Sequence, residues 1–127
     1  MHATRIYADE RGCSHFESLD IPLEEGPLGS VSTLVPGAGV IFRTTAAGWS
    51  ADFHPAPRRQ FVITLVGEVE IECGDGSVRR FGPGDVVLAD DTTGQGHISR
   101  QGDAERISIF VPVSDDVDPS TWRTAGP

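Results

Sequence analysis

Short apolar or alternating runs, cut at close intervals by Gly, Pro and Asp clusters, make up nearly all of this chain, and almost no segment carries a 3.6-residue period. That pattern restricts the fold to an all-β sandwich or barrel, because a helix needs a continuous apolar stripe and a strand needs only a few alternating residues. Strands are expected at 4–8, 15–22, 31–35, 40–45, 50–54, 60–66, 68–73, 78–81, 85–89, 97–100 and 106–113. Gly74-Asp75-Gly76-Ser77 reads as a tight hairpin, since Asp-Gly supplies positive φ at little cost. Gln101-Gly102-Asp103-Ala104 reads as a second. Glu68, Glu70 and Glu72 alternate with Val69, Ile71 and Cys73, giving one wet face and one dry one. The segment 114–127 is acidic and then Pro-, Ser- and Thr-rich; it is expected to be irregular, with Trp122 docking it.

At 127 residues the chain suits a single domain spanning 1–127. Nineteen acidic residues against ten basic ones give a formal charge of −9, which repels phosphate backbones and anionic lipid and argues against a nucleic-acid partner. All ten basic residues are arginine, so Schiff-base or P-loop lysine chemistry is excluded. Asparagine is absent as well, a bias expected of a GC-rich bacterial genome. Cys13 and Cys73 are too few for a disulfide scaffold, and reduced thiols are expected. No apolar run approaches the roughly 18 residues of a membrane helix, and the N-terminus lacks an apolar signal core, so a cytoplasmic location without membrane contact is expected.

The candidate site lies between Gly48 and His97, where His54 and His97 stand on separate expected strands. Strand parity puts Ser50, Asp52 and His54 on one face and Trp49, Ala51 and Phe53 on the other. Beyond the 55–57 turn, Gln60, Val62, Thr64 and Val66 share a face opposite Phe61, Ile63 and Leu65. With bulky apolar groups on both faces, something must cover the aromatic one: the N-terminal strands or, more economically, a second subunit. A homodimer is therefore expected.

The spacing Gly48, five residues, His54, one residue, Ala56, three residues, Gln60, six residues, Gly67 resembles the first motif of the cupin superfamily. Ala56 and Gln60 stand where that family has its second histidine and its glutamate. Gly84-Asp85, the following apolar strand and His97 resemble the second motif, with Asp90 in place of its proline and no counterpart of its terminal asparagine. The HPAPRRQ and DTTGQGH wording is similar to a branch of small bacterial cupins. The resemblance covers about residues 28–113 and implies a double-stranded β-helix (jelly-roll) barrel with a small-molecule pocket at one mouth. The strands within 4–22 would then pack on the barrel or on a partner.

In metal-bearing cupins the aligned residues hold one divalent ion, commonly Fe, Mn, Ni or Zn. Here His54, Gln60 and His97 would be its ligands, with Asp52 as a possible carboxylate. That metal-dependent, oxygenase-like enzyme is the runner-up; the leading reading is metal-free acid–base chemistry of the isomerase, epimerase, cyclase or lyase type, as in the sugar epimerases this architecture resembles. His54 or His97 would move the proton, and Asp52, Asp90 or Asp91 would set its tautomer. Arg43 and Thr64 would orient an oxyanion or carboxylate, and Gln60 would touch substrate. A non-catalytic ligand-binding or sensor module is the third reading. Each residue also has a plainer role: a hydrogen-bonded core histidine for His54 or His97, backbone satisfaction for Gln60, an Asx turn for Asp90-Asp91-Thr92. Arg58 and Arg59 are expected to be solvated or paired with the Glu68 strand. His2 and His15 have no partner in sequence.

Overall fold

The structure, a computed structural model, describes residues 1–123; the remainder of the C-terminal segment expected at 114–127 lies outside the described residues. The strands are β1 (His2–Ala8), β2 (Ser14–Asp20), β3 (Glu24–Gly26), β4 (Gly29–Val31), β5 (Ile41–Thr45) and β6 (Ser50–His54). They continue as β7 (Gln60–Val66), β8 (Val69–Glu72), β9 (Val78–Phe81), β10 (Val86–Asp90), β11 (His97–Gln101) and β12 (Arg106–Pro112), followed by a 3-10 turn at Pro119–Trp122. A six-stranded sheet has the order β2-β1-β10-β7-β12-β5, and a four-stranded sheet the order β6-β11-β8-β9. From β5 to β12 the chain switches repeatedly between these two sheets, so their inner faces must oppose each other. This is an all-β jelly-roll barrel: the strand pattern led one to expect the all-β class, and the resemblance to cupins implied the jelly roll. Among the described residues no helix is long and apolar enough to cross a membrane.

Local chemistry explains most element boundaries. The β8–β9 hairpin closes with the Cys73 amide donating to the Ser77 carbonyl at 2.9 Å, and Gly76 takes φ +86°. Val69, Ile71 and Cys73 are buried, while Glu70 and Glu72 turn outward to Arg100 at 3.2 and 2.9 Å. The expected second hairpin at 101–104 is instead a crossover, because β11 and β12 belong to different sheets. No strand forms at 32–35. Gly26 and Gly29 fold the preceding residues into the exposed β3–β4 hairpin, and Leu28 and Leu34 stay 99% and 91% exposed.

The N-terminus is part of the larger sheet rather than an accessory: β1 runs parallel to β10 and antiparallel to β2. One apolar cluster, Ala3, Leu19, Ile21, Phe61, Leu88 and Val113, lies beneath Trp122, whose ring stacks on Phe61 at 6.2 Å. The Phe61 face is thus covered by the chain itself, which removes that face as a reason for a second subunit. A second cluster of Ile6, Val69, Ile71, Cys73, Phe81 and Val87 lies between the sheets. Cys73 belongs to it with its thiol pushed up to about 12 by burial, so it packs as a small inert hydrophobe.

Candidate active site

A cavity of about 370 Å³ opens between the two sheets. His54, His97, Gln60 and Ala89 line one end, and Trp49, Arg43, Thr45 and Arg106 line the other. The walls between carry Ile6, Val62, Val69, Ile71 and Val87.

Register brings the two histidines together. His97 on β11 pairs directly with His54 on β6, and their rings stand 4.8 Å apart between centroids. The loop before His97 makes this approach possible. Gly96 holds φ +78° against the β6 exit, where a side-chain carbon would meet the His54 carbonyl oxygen at 1.9 Å.

Each imidazole is tied at Nδ1. His97 Nδ1 lies 2.6 Å from Asp91 Oδ2, and Asp91 is fully buried. His54 Nδ1 lies 2.8 Å from the backbone carbonyl of Asp52. Both partners can only accept here, so Nδ1 carries the hydrogen and Nε2 is the nitrogen that each ring presents to the cavity.

Simple strand parity fails on β6. His97 pairs with His54 and Ser99 with Ala51, so the single residue Ile98 of β11 opposes both Asp52 and Phe53 of β6, the signature of a bulge. The extra residue reverses the alternation, and Trp49, Ala51 and His54 all line the cavity. Asp52 is turned out to solvent. Its carboxylate accepts from the Phe53 amide at 2.8 Å and contributes nothing to the cavity, while its carbonyl orients His54. A second irregularity, between Ile107 and Ser108 of β12, leaves Val66 half exposed instead of inward with Val62.

The other expected residues fall as follows. Gln60 is 3% exposed and lines the cavity, with its Oε1 lacking a hydrogen-bond partner among the described residues. Arg43 lines the opposite end, its guanidinium 5.2 Å from the Trp49 ring and 5.5 Å from Phe110. Thr64 is buried and outside the cavity wall; its hydroxyl accepts from Arg106 Nη2 at 2.9 Å and Nε at 3.2 Å.

Asp90 and Asp91, adjacent in sequence, serve separate ends. Asp91 orients His97, whereas Asp90 takes Arg5 at 2.8 Å and Arg59 at 2.9 Å. Arg59 is therefore neither solvated nor paired with the Glu68 strand. Its Nη1 also donates to the Val117 carbonyl.

Two features escaped the sequence reading. Arg106 shares the inward parity of Ser108 and Phe110, but a single arginine at the start of a strand carries no signal in sequence. His15 lies 2.7 Å through Nε2 from Asp9, across the β1–β2 turn, and 3.1 Å through Nδ1 from Asp75, which is distant in the chain and gave no signal. The hydrogen bond to Asp9 raises the imidazole, and the same contact lowers Asp9. With Cys13 these residues form a polar cluster remote from the cavity.

The donors at the histidine end do not fit a resident divalent metal. They comprise two imidazoles and one neutral amide oxygen, whereas catalytic sites usually supply three strong protein ligands. Asp52 cannot complete the set from the outer face.

No protein-family profile and no curated protein matches the chain. Among solved structures, a conserved protein of unknown function from Streptococcus pyogenes is similar with a TM-score of 0.47 and 16% identity, covering 68% of this chain and 72% of that one. A protein provisionally named ethanolamine utilization protein Q from Salmonella typhimurium is similar with a TM-score of 0.41 and 9% identity, covering 89% of this chain and 95% of the other. The jelly-roll assignment rests on the strand order and pairing described above.

Proposed function

We propose that this protein is a small-molecule enzyme of cupin type that isomerises, epimerises, cyclises or eliminates an oxygenated metabolite by histidine acid–base catalysis. The observation that carries this reading is the Asp91–His97 pair facing His54 across a cavity. A buried carboxylate holds one imidazole in a fixed tautomer and stabilises the imidazolium that forms when Nε2 takes a proton. The cavity volume is at the lower end of the roughly 300–1,000 Å³ of ligand pockets, which points to a metabolite rather than a polymer.

In the proposed step His97 Nε2 removes a proton from a carbon next to the substrate's oxygenated carbon. Return of that proton to a neighbouring carbon isomerises the substrate. Delivery of a proton by a protonated His54 to the opposite face of the same carbon epimerises it. Gln60, with an unpartnered buried oxygen, accepts a hydrogen bond from a substrate hydroxyl.

The test is proton exchange. Incubated in D₂O with a panel of small keto and hydroxy acids, the protein is expected to wash deuterium into one carbon position of at least one member. His97→Ala should slow that exchange by about 10²- to 10⁴-fold. Exchange absent across the panel, or present and unchanged in His97→Ala, overturns the proposal.

We also propose a homodimer. β5 ends its sheet with β12 as its one strand partner among the described residues, and Phe42 on it is 80% exposed.

A further inference from the structure

Arg106 is the one buried arginine among the described residues, at 8% exposure, and its side chain donates only to the neutral Thr64 hydroxyl. No described carboxylate comes within ion-pair distance, although the chain holds nineteen acidic residues. Arg5, Arg59, Arg80, Arg100 and Arg123 all have such partners. Burial pulls the Arg106 guanidinium down to about 10, and the like charge of Arg43 adds to the effect. A buried cation without a counter-ion is costly, and a cavity wall is where an incoming anion can relieve it. Arg43 stands two residues across the β5–β12 ladder, with Ser108 opposite it and Thr45 opposite Arg106. Trp49 and Phe110 hold the Arg43 guanidinium in place through their ring faces.

The arginines and the histidines occupy opposite ends of the cavity. On β7, Gln60 marks the histidine end and Thr64 the Arg106 end, four residues and about 13 Å apart at roughly 3.3 Å per residue. The walls between are apolar apart from Ser99. The Asp91 carboxylate behind His97 disfavours a second anionic group at the histidine end.

Resting on the acid–base reading above, we infer that the substrate is an elongated monocarboxylate: its carboxylate is held by Arg106 and Arg43, an apolar stretch spans the cavity, and its oxygenated end lies between His54 and His97.

Calorimetric titration with the straight-chain alkanoates butyrate to octanoate, each against its neutral amide, tests this without turnover. One chain length is expected to bind best, at least tenfold tighter than its amide, because a guanidinium fork pairs with a carboxylate and not with an amide. Arg106→Gln should lose that tenfold preference. Arg43→Gln, at an exposed rim position, should reduce it severalfold and serves if Arg106→Gln fails to fold. His97→Ala should keep it. Equal binding of acid and amide, no binding of any alkanoate, or a preference unchanged in both arginine variants overturns the inference. Selective alkanoate binding with no deuterium exchange would sink the acid–base reading and leave the carboxylate site standing. Exchange without carboxylate preference would do the reverse.

Discussion

Gly96→Ala is expected to destabilise the protein by more than about 4 kcal/mol, or to prevent folding, although it adds a single methyl group. The residue holds φ +78°, which alone costs an L-residue about 1–2 kcal/mol. The larger cost is steric. The new carbon would lie 1.9 Å from the His54 carbonyl oxygen, 2.1 Å from its carbon and 2.3 Å from the Pro55 nitrogen. These are backbone atoms, so no rotamer change relieves the overlap, and β6 must move away from β11. That motion separates His54 from His97. Thermal unfolding of Gly96→Ala beside Gly76→Ala separates the two costs, because Gly76 has a similar φ of +86° and open space where its Cβ would be. Gly76→Ala should lose only about 1–2 kcal/mol. Equal losses in the two variants would show that the close approach of residues 96 and 54 does not exist.

Asp90→Ala is expected to cost about 3 kcal/mol, measured by denaturant unfolding. The Asp90 side chain is 8% exposed and is shared by Arg5 at 15% and Arg59 at 17%. Removing the acid leaves two partly buried guanidiniums facing each other, and breaking a buried pair from one side typically costs about 3–5 kcal/mol. The low end applies because both arginines keep some contact with water, and Arg5 retains Glu17 at 3.3 Å. The pairs link β1, β10 and the segment that follows His54, so this variant should also loosen the turn carrying Pro55 and Pro57. Asp90→Ala combined with Arg5→Met and Arg59→Met should recover most of the loss. A loss under about 1 kcal/mol for the single variant, the range of an exposed pair, would contradict the geometry.

Much of the architecture was legible in the amino-acid order, because strand recognition rests on local alternation and turns on local chemistry. Gly74-Asp75-Gly76-Ser77 requires a hairpin wherever the flanking strands pair, and the alternation of Glu70 and Glu72 with Val69 and Ile71 orients β8 without reference to the rest of the chain. The 101–104 segment carries similar turn residues yet crosses between sheets, since a tight turn does not dictate which strand the chain joins next. The location of the site was legible for a related reason. The spacing of Gly48, His54, Gln60 and Gly67 and the later His97 pointed to these residues along the chain, and the structure brings His54, Gln60 and His97 to one cavity.

Which side chains share the cavity was decided by tertiary structure. One extra residue in β6 turns Asp52 outward and Trp49 and Ala51 inward, and a bulge depends on the register of a partner strand more than forty residues away. The division of labour between Asp90 and Asp91 likewise depends on Arg5 and Arg59, which reach Asp90 only once β1 and β7 have joined β10 on either side. Arg106 is an ordinary surface-type residue in sequence. Its meaning comes from being buried beside Arg43 with no acid near it, and burial is a property of the packed chain. Local order thus determined the strands, their turns and the two histidines; the pairing of distant strands determined the faces, the partners and the charge of the cavity.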